Sequence, residues 1–381
     1  MTKWVTKTLL QLADYHNGMA FKPSDWAEEG SKIIRIEQLN NPLGHYDYYK
    51  GEYPEINAIS NGDLIFSWSA TLKVCIWQWG DGVLNQHLFK VVPFKDIDKT
   101  YLLYLLDYNM PKLSESSHGS TMKHIKRKEL ETYTVSIPAL PDGTPDLAEQ
   151  RRIAGILSSA DGAIAASEAL IAKYRNIKRG LLATLLQPKE GWKKVKLGEC
   201  LTRLCNGLTY DVEEKSGYMV TRIETISNDD IDYNRVGHIR TLPKQEYRIQ
   251  KGDILFSHIN SVKHIGKVAY FDDEQELYHG MNLLLMRFHE SCDSKFFFYM
   301  LSSEKVRKRM RSLAKSAVNQ ASINTTELHN FTISYPESLA EQRRIADILS
   351  SVDAKIAAEE KVVEKYKGVK KGLMESMMKE K

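Results

Sequence analysis

Cysteine is scarce in this 381-residue chain, and its four cysteines form no C-x-x-C pair. Such usage is typical of reduced thiols rather than of a disulfide framework or a zinc site. The N-terminal residues lack the apolar run and the small-residue cleavage site of a signal peptide. No stretch approaches the roughly 18 apolar residues of a membrane span. We therefore expect a cytoplasmic protein with no membrane partner.

An excess of charge of one sign is also lacking. The chain has 53 Lys and Arg residues against 49 Asp and Glu residues, which gives a formal net charge of +4. A protein that binds a polyanion through bulk charge is normally more basic. Any contact with nucleic acid is therefore expected to use local basic patches, or to share the phosphate contacts with a partner.

Motifs of several enzyme classes are absent. The sequence has no G-x-x-x-x-G-K-[S/T] phosphate loop, which argues against ATP-driven work by this chain. The segment Asn41–Gly44 comes nearest to the [N/D/S]-P-P-aromatic motif of DNA methyltransferases, but it lacks the second proline and the aromatic residue. The pairs His118/His124 and His258/His264 are not spaced as metal ligands on one helix face. We expect no catalytic residue and no metal site on this chain.

An internal repeat is the most informative feature that is present. The eight residues Leu147–Ala154 recur letter for letter as Leu339–Ala346, and residues 147–186 align without a gap with 339–378 at 22 of 40 identical positions. This period is too long for a solenoid, whose repeats reach about 50 residues at most. The chain is therefore expected to be two halves of one design.

Both repeated segments are predicted to be long helices. Asp146 and Ser338 precede them as N-cap residues, and a glutamate three residues later completes a capping box in each. Alternating steps of four and three pick out a narrow apolar seam, as expected for helices that pack on each other. Only two pairs of equivalent positions interrupt the seam, namely Ser167 with Glu359 and Lys178 with Lys370.

The connections predict how the two helices pair. A helix of about 40 residues is about 60 Å long. If the helices were parallel, the residues between them would have to reach back over that whole length. Antiparallel packing removes this difficulty, and it predicts a two-helix spacer with one globular unit at each end.

The globular units repeat more loosely. Gly62–Ser67 corresponds to Gly252–Ser257, in which a Gly-Asp turn leads into an apolar strand. Apolar runs at 74–77, 89–92 and 282–286 predict further strands, and those at 101–106 and 296–301 predict short helices. Each unit is therefore expected to be a mixed α/β domain whose framework repeats while the residues between the shared elements differ.

Two such units, each followed by a helix that opens with Leu-Ala-Glu-Gln-Arg-Arg-Ile-Ala-x-Ile-Leu-Ser-Ser-x-Asp, resemble the specificity subunit of a type I restriction-modification enzyme. The resemblance covers the whole chain and is specific, because both helix motifs are present. It implies target recognition domains at 1–145 and 189–337, and spacer helices at 146–188 and 338–381. The expected fold class is α+β, with two pseudo-two-fold-related mixed α/β domains separated by an antiparallel two-helix coiled coil.

The resemblance also implies partners and a division of labour. The chain would read a bipartite, asymmetric site in double-stranded DNA and would itself be non-catalytic. Two methyltransferase subunits, and two motor-nuclease subunits where present, would carry the S-adenosylmethionine, ATP and Mg²⁺. Two alternatives stay open, namely a self-sufficient DNA modification enzyme and a coiled-coil scaffold with two protein-binding heads.

Residues that could contact DNA lie in polar and basic segments of both domains. In the first domain the candidates are Trp68, Ser69, Lys112, Ser116, His118, Ser120, Thr121, Lys123, Lys126 and Arg127; in the second they are His258, Asn260, Lys263, His264, Arg307, Arg311, Lys315, Asn319 and Gln320. For any one of them, an ordinary solvated loop or helix is the alternative interpretation.

Residues that could dock partner subunits lie one turn into each helix, at equivalent positions. They are Gln150, Arg151, Arg152, Gln342, Arg343 and Arg344. Their placement suits two identical partners. A solvated helix face is the equally acceptable alternative.

Overall fold

Two units of similar build make up the chain. One comprises Met1–Glu168 and Lys361–Lys381, and the other Ala169–Glu360. The computed structural model describes residues 3–115, 125, 127–210, 216–227, 229–261, 264–317 and 320–378.

The strands of the first unit form two four-stranded sheets and a two-stranded ribbon. They are β1 (Lys3–Thr8), β2 (Ala13–Asn17), β3 (Ser31–Ile34), β4 (Tyr48–Tyr49), β5 (Ala58–Ile59), β6 (Leu64–Ser67), β7 (Lys73–Ile76), β8 (Gly82–Leu84), β9 (Leu88–Pro93) and β10 (Thr134–Ala139). The main sheet has the antiparallel order β2-β9-β6-β7, and the second sheet has the order β4-β3-β8-β5. Strand β1 pairs with β10 to form the ribbon.

The first unit has four described helices, and all but the first, Ile36–Asn40, contribute to the core over the main sheet. They are α1 (Ile36–Asn40), α2 (Lys99–Glu115), α3 (Arg127–Thr132) and the long helix α4 (Leu147–Leu185), with short 3-10 helices at Leu9–Gln11, Pro23–Asp25 and Glu55–Asn57. Asp98 starts α2, because its Oδ1 accepts hydrogen bonds from the N–H groups of Thr100 and Tyr101 at 3.0 and 2.9 Å. Such an N-cap satisfies amides that have no partner within the helix.

The second unit repeats the main sheet and the ribbon, and its other described strands form smaller sheets of two or three strands. Its strands are β11 (Trp192–Lys196), β12 (Leu201–Asn206), β13 (Tyr218–Val220), β14 (Ile226–Ser227), β15 (Asp230–Ile231), β16 (Gly237–Ile239), β17 (Ile254–Phe256), β18 (Ile259–Asn260), β19 (Val268–Tyr270), β20 (Leu284–Phe288), β21 (Lys315–Ala317), β22 (Gln320–Ser322) and β23 (Thr332–Pro336). Its helices are α5 (Ser294–Ser302), α6 (Glu304–Arg311), α7 (Thr325–His329) and the long helix α8 (Leu339–Met377), with 3-10 helices at Leu197–Cys200, Ile223–Thr225, Tyr233–Arg235 and Gln245–Tyr247.

The main sheets of the two units share one topology. The order β12-β20-β17-β19 in the second unit matches β2-β9-β6-β7 in the first, and the ribbon of β11 with β23 matches that of β1 with β10. The glycines before β6 and β17, Gly62 and Gly252, have φ values of +95° and +93°. Glycine adopts this conformation without steric cost, which explains the repeated Gly-Asp turn.

Each long helix supplies part of both cores. In the first unit, Ile153 and Leu157 of α4 and Met374 of α8 are buried in the cluster that covers the main sheet. In the second unit, Ile345 and Leu349 of α8 are buried in the corresponding cluster, with residues of α4 from 181 onward packed against it. The domains and the helices are therefore one folded body within each unit.

The predicted helices and strands are confirmed. The long helices run over Leu147–Leu185 and Leu339–Met377, and every short element predicted from the sequence is present. The prediction of a full capping box at Asp146 is only half right. The N–H of Glu149 donates to Asp146 Oδ1 at 3.0 Å, but the Glu149 carboxylate binds Arg152 instead, and the Asp146 N–H donates to Pro138 O.

Helix α4 departs from one expectation of the sequence. By length and composition alone it is apolar enough to cross a membrane, with a mean hydropathy of 1.2 over its most apolar 18 residues. Core helices of soluble proteins meet the same criteria of length and composition, so these two properties alone do not indicate a membrane span. Ile153, Leu157 and Ile164 of α4 are buried inside the protein.

The two interruptions of the seam by lysine have a clear structural role. In the first unit, Lys370 Nζ lies 2.7 Å from Asp161 Oδ1, and the Tyr104 hydroxyl donates to Asp161 Oδ2 at 2.7 Å. The lysine ammonium lies 5.1 Å from the centroid of the Tyr104 ring, close enough for a cation–π interaction. Burial raises the pKa of Tyr104 to about 12, so its hydroxyl stays a donor at neutral pH.

The second unit contains the same lysine–aspartate–tyrosine cluster. Lys178 Nζ lies 2.6 Å from Asp353 Oδ1, and the Tyr299 hydroxyl donates to Asp353 Oδ2 at 2.8 Å. Within this unit, Arg175 pairs with Glu360 while Lys178 pairs with Asp353, so numbers rise along α4 as they fall along α8. The helix segments are therefore antiparallel in each unit.

Removing Asp161 should destabilise the first unit. Asp161→Ala leaves the Lys370 ammonium and the Tyr104 hydroxyl without their acceptor, and we expect a loss of about 1–3 kcal/mol in the free energy of unfolding. Urea titration of the full chain measures it. The exposed pair Arg175–Glu360 provides the control, because Glu360→Ala should cost less than about 1 kcal/mol. Equal losses for the two variants would show that the cluster contributes no more than a surface pair.

Candidate nucleic-acid interface

One backbone hydrogen bond organises the candidate surface of each unit in the same way. In the first unit the N–H of Ile125 donates to Trp68 O, and in the second the N–H of Ile323 donates to His258 O, both at 2.9 Å. Both isoleucines are fully buried. Each unit thus places the loop after its Gly-Asp strand beside a segment that lies about 60 residues further along the chain.

In the second unit this contact is part of a small three-stranded sheet. The strand order is β18-β22-β21, with Asn260 opposite Ala321 and Lys315 opposite Ser322. The Asn260 side chain is half-buried, and its amide donates to Ser257 Oγ at 3.2 Å. Candidate residues that are distant in sequence, Asn260 on β18 with Lys315 and Gln320 on the other strands, therefore share one sheet.

Helix α6 carries the basic run of the second unit, and its cations are not equivalent. Arg307 forms an ion pair with Asp229, and Arg311 Nη1 lies 3.2 Å from Glu304 Oε1. Arg309 donates to Thr332 O at 2.8 Å. Lys305 and Lys308 are exposed and form no ion pair with any residue that the structure describes. Lys305 and Lys308 are thus exposed cations without an ion pair among the described residues, whereas Arg307 and Arg311, the candidates chosen from the sequence, are paired with carboxylates.

Two candidates lie inside the fold. Ser69 is 4% exposed and His258 is 7% exposed, so neither side chain is placed to touch a base. Trp68 is half-buried, and its ring packs against Phe89 at a centroid distance of 5.9 Å. These residues support the shape of the loop, and we withdraw Ser69 and His258 as direct DNA contacts.

His258 and His279 form a buried pair in the second unit. Burial lowers the pKa of each imidazole to about 4. His279 Nε2 lies 3.0 Å from Leu283 O, which favours the tautomer that donates from Nε2. The Nδ1 atoms of both rings are buried without a hydrogen-bond partner among the described residues. Both imidazoles are therefore neutral at physiological pH.

Several candidates cannot be placed. Ser116, His118, Ser120, Thr121, Lys123, Lys126, Lys263 and Asn319 lie outside the residues that the structure describes, and only the backbone is described for Arg127, Lys315 and Gln320. Of the others, Lys112 is exposed at the end of α2, and His264 is half-buried in the loop after β18. Their contact with DNA stays a prediction.

The glutamines predicted to dock partners join each long helix to its domain instead. Gln150 is fully buried, and its amide accepts from Asp98 N at 2.9 Å and donates to Asp96 O at 3.1 Å. Gln342 is also fully buried, and it accepts from Asp293 N at 2.8 Å and donates to Pro336 O at 2.9 Å. Both side chains are used internally, so a docking role is wrong for these two residues.

The arginines beside the glutamines do face outward. Arg151 and Arg343 are exposed and lie 3.7 and 4.0 Å from carboxylate oxygens of Asp98 and Asp293. Arg152 is held by Glu149, and Arg344 is exposed. The repeated Gln-Arg-Arg triplet thus combines one buried joint residue with two surface cations, and only the cations are available to a partner.

The comparison with family models gives a match in both halves of the chain. Residues 1–173 and 189–365 each match the type I restriction modification DNA specificity domain.

Relatives with curated names agree with this match. One relative, from Methanocaldococcus jannaschii, has the name of the specificity subunit of type I restriction enzyme MjaX. It is 42% identical over 194 residues, which cover 49% of this chain and 45% of that protein. The MjaVIII specificity subunit of the same organism is 24% identical over 346 residues, which cover 84% of this chain and 79% of that protein. The alignment thus spans less than half the length of the first relative.

A solved structure shares the fold. The S subunit of a type I restriction-modification system from M. genitalium superposes with a TM-score of 0.64, with 100% of this chain and 97% of that chain covered. The sequence identity is 15%. At that identity the likeness concerns the fold alone.

The histidine pair predicts a pH dependence of stability. The folded pKa values of about 4 lie below the ordinary value of 6.5, so below pH 6.5 the unfolded chain binds protons that the folded chain does not. Stability should be complete above pH 6.5 and should fall between pH 6.5 and 4, by up to about 1.4 kcal/mol per histidine and pH unit. His258→Gln should reduce the loss of melting temperature between pH 7.5 and 5.0. The same substitution at the exposed His45 is the control, and an equal change there would contradict the assignment.

Proposed function

The chain belongs to the type I restriction modification DNA specificity family, and from this we propose that it selects the DNA site for a restriction-modification complex. Each unit would read one half of a bipartite, asymmetric sequence. Partner subunits would carry out the chemistry on the DNA. This chain would be a non-catalytic subunit, and its work would be located in the cytoplasm.

One observation supports this proposal above the others. Both units use the same backbone hydrogen bond to bring a loop and a distant segment together, yet the more exposed residues that follow in the loop differ, with Ala70 and Thr71 in one unit and Asn260 and Ser261 in the other. Hydrogen bonds and apolar contacts to base edges depend on side-chain identity. Two similar frameworks with different side chains are suited to two different half-sites.

The second unit suggests how phosphate and base contacts divide. Lys305 and Lys308 project from α6 as exposed cations, and cations of this kind bind phosphate oxygens without regard to sequence. Strand β18, which carries Asn260, lies in the small sheet, and Asn260 would reach base edges from there. In the first unit the candidates between Lys112 and Lys128 would do the same work.

The partners follow from the family. Two methyltransferase subunits, and two motor-nuclease subunits where present, would dock on this chain, and they would bind the S-adenosylmethionine, ATP and Mg²⁺. The exposed Arg151, Arg152, Arg343 and Arg344 occupy equivalent positions on the two long helices, as two identical partners require.

Methylation mapping tests the whole proposal. The full chain is expressed with a methyltransferase subunit from the same restriction-modification system, and methylated bases are mapped over the genome. We expect methylation at a split motif that disappears when this chain is deleted. A pattern of methylation that does not depend on this chain would contradict the proposed function.

The role of α6 can be tested in the same assembly. The double variant Lys305→Glu/Lys308→Glu should weaken DNA binding on all sequences and lower the slope of log K against log salt by about 2, because two phosphate contacts are lost. The motif itself should not change. The matched control is Lys193→Glu/Lys194→Glu, which places the same charge change on β11. An unaltered slope for the α6 variant would exclude these lysines as phosphate contacts.

A further inference from the structure

A pocket of about 280 Å³ lies in the first unit where the main sheet meets the start of α4. Its apolar wall includes Leu64, Val92, Ile97 and Leu147. Small-molecule sites usually occupy about 300–1,000 Å³. This pocket, called the joint pocket below, therefore has room for one or two protein side chains.

The charged groups at the joint pocket favour an anionic occupant. Its two carboxylates are already engaged, because Asp63 pairs with Lys90 at 3.1 Å and Asp98 accepts from the amides that start α2. Lys99 donates to Gly62 O at 2.6 Å and keeps further N–H donors, and the Arg151 side chain is 67% exposed. Lys95 is exposed and has no ion pair within the described part of the chain. Three cations with spare donors thus surround a cleft whose lining is both polar and apolar.

The equivalent place in the second unit is built differently. Strand register relates Leu64 and Val91 to Ile254 and Met286, so Val92 corresponds to Arg287, one residue further along. Arg287 donates to both oxygens of the buried Asp253, at 2.8 and 2.7 Å, whereas Val92 is 38% exposed.

The lysines of the joint pocket also lack counterparts. Counting on from Val91 and Met286 pairs Asp98 with Asp293, and each of these accepts from an amide at the start of its helix. The same count relates Lys95 to Glu290 and Lys99 to Ser294. The second unit therefore offers neither the apolar opening nor the same positive charge.

We propose that the joint pocket binds a segment of a partner protein that carries an aspartate or glutamate beside an apolar side chain, and that the second unit binds the same segment more weakly. The inference rests on the proposed function, in which the partner is the methyltransferase subunit. Apolar walls with cations at the rim are typical of protein interfaces. A DNA phosphate would use the cations but would leave the apolar wall without a contact, so a protein segment fits better.

The test replaces residues of the joint pocket by those at the equivalent positions of the second unit. The full chain is titrated with the methyltransferase subunit, and native mass spectrometry counts the partner copies on each chain. Wild type should bind the first copy more tightly than the second. Lys95→Glu and Val92→Arg should each weaken the tighter step by about tenfold, since attraction is replaced by repulsion or the opening is filled. Lys95→Arg, which keeps the charge, should bind as wild type does.

Matched changes in the second unit separate the outcomes. Glu290→Lys should not weaken either step, and melting curves should show that all variants fold. Two equal binding steps that Lys95→Glu leaves unchanged would overturn the inference while leaving the proposed function intact. If Lys95→Glu lowers the affinity for DNA and leaves assembly with the methyltransferase subunit unchanged, the cations contact phosphate. This result would also overturn the inference. If the wild-type chain binds no methyltransferase subunit, the proposed function itself is contradicted.

Discussion

A charged group inside an apolar helix seam is the constraint on which both units depend. Lys370 meets Asp161 in the first unit and Lys178 meets Asp353 in the second, each with a tyrosine hydroxyl on the same carboxylate. Apolar seams tolerate slippage by a heptad, since one Leu or Ile contact resembles the next. A lysine that moved away from its aspartate would leave two partly buried charges unpaired, so the pair favours one register. The tyrosine comes from the domain, and it ties that register to the sheet.

The buried glutamines fix the attachment of each domain to its long helix, as the seam lysines fix the register of the helices. Gln150 binds the backbone of Asp96 and Asp98, and Gln342 binds the backbone of Asp293 and Pro336. Each glutamine thus holds the residue that caps a helix of its domain, Asp98 for α2 and Asp293 for α5. The eight-residue motif therefore recurs because its residues make contacts inside each unit. It fixes where each domain is attached to its helix, and its arginines remain on the surface. Identity between the halves is high where the framework is made and low where outward-facing side chains differ.

Periodicity and caps predicted the framework from the sequence, because these patterns follow from local geometry. The helices, the Gly-Asp strands and the antiparallel seam all belong to this class. The seam lysines were noticed as exceptions, but their partners were not, because Tyr104 and Tyr299 lie about 55 residues from the aspartates that they bind. The candidate site was predicted less well. Residue type identified Arg307 and His258, whereas burial and the ion pair with Asp229 decide that neither is free. Such contacts depend on tertiary structure, which composition and spacing do not contain.

The equivalent positions of the two units also show how side chains can vary while the fold is kept. Asp63 and Asp253 both follow the turn glycine, yet one pairs with Lys90 and the other with Arg287. The acid needs a cation in either unit, but the cation can come from different positions on the neighbouring strand. The position that does not supply the cation holds the exposed Val92 in one unit and the buried Leu285 in the other by strand register. A framework that can pair the same aspartate with a cation from either of two strand positions can therefore change the residues on that strand while it keeps the ion pair.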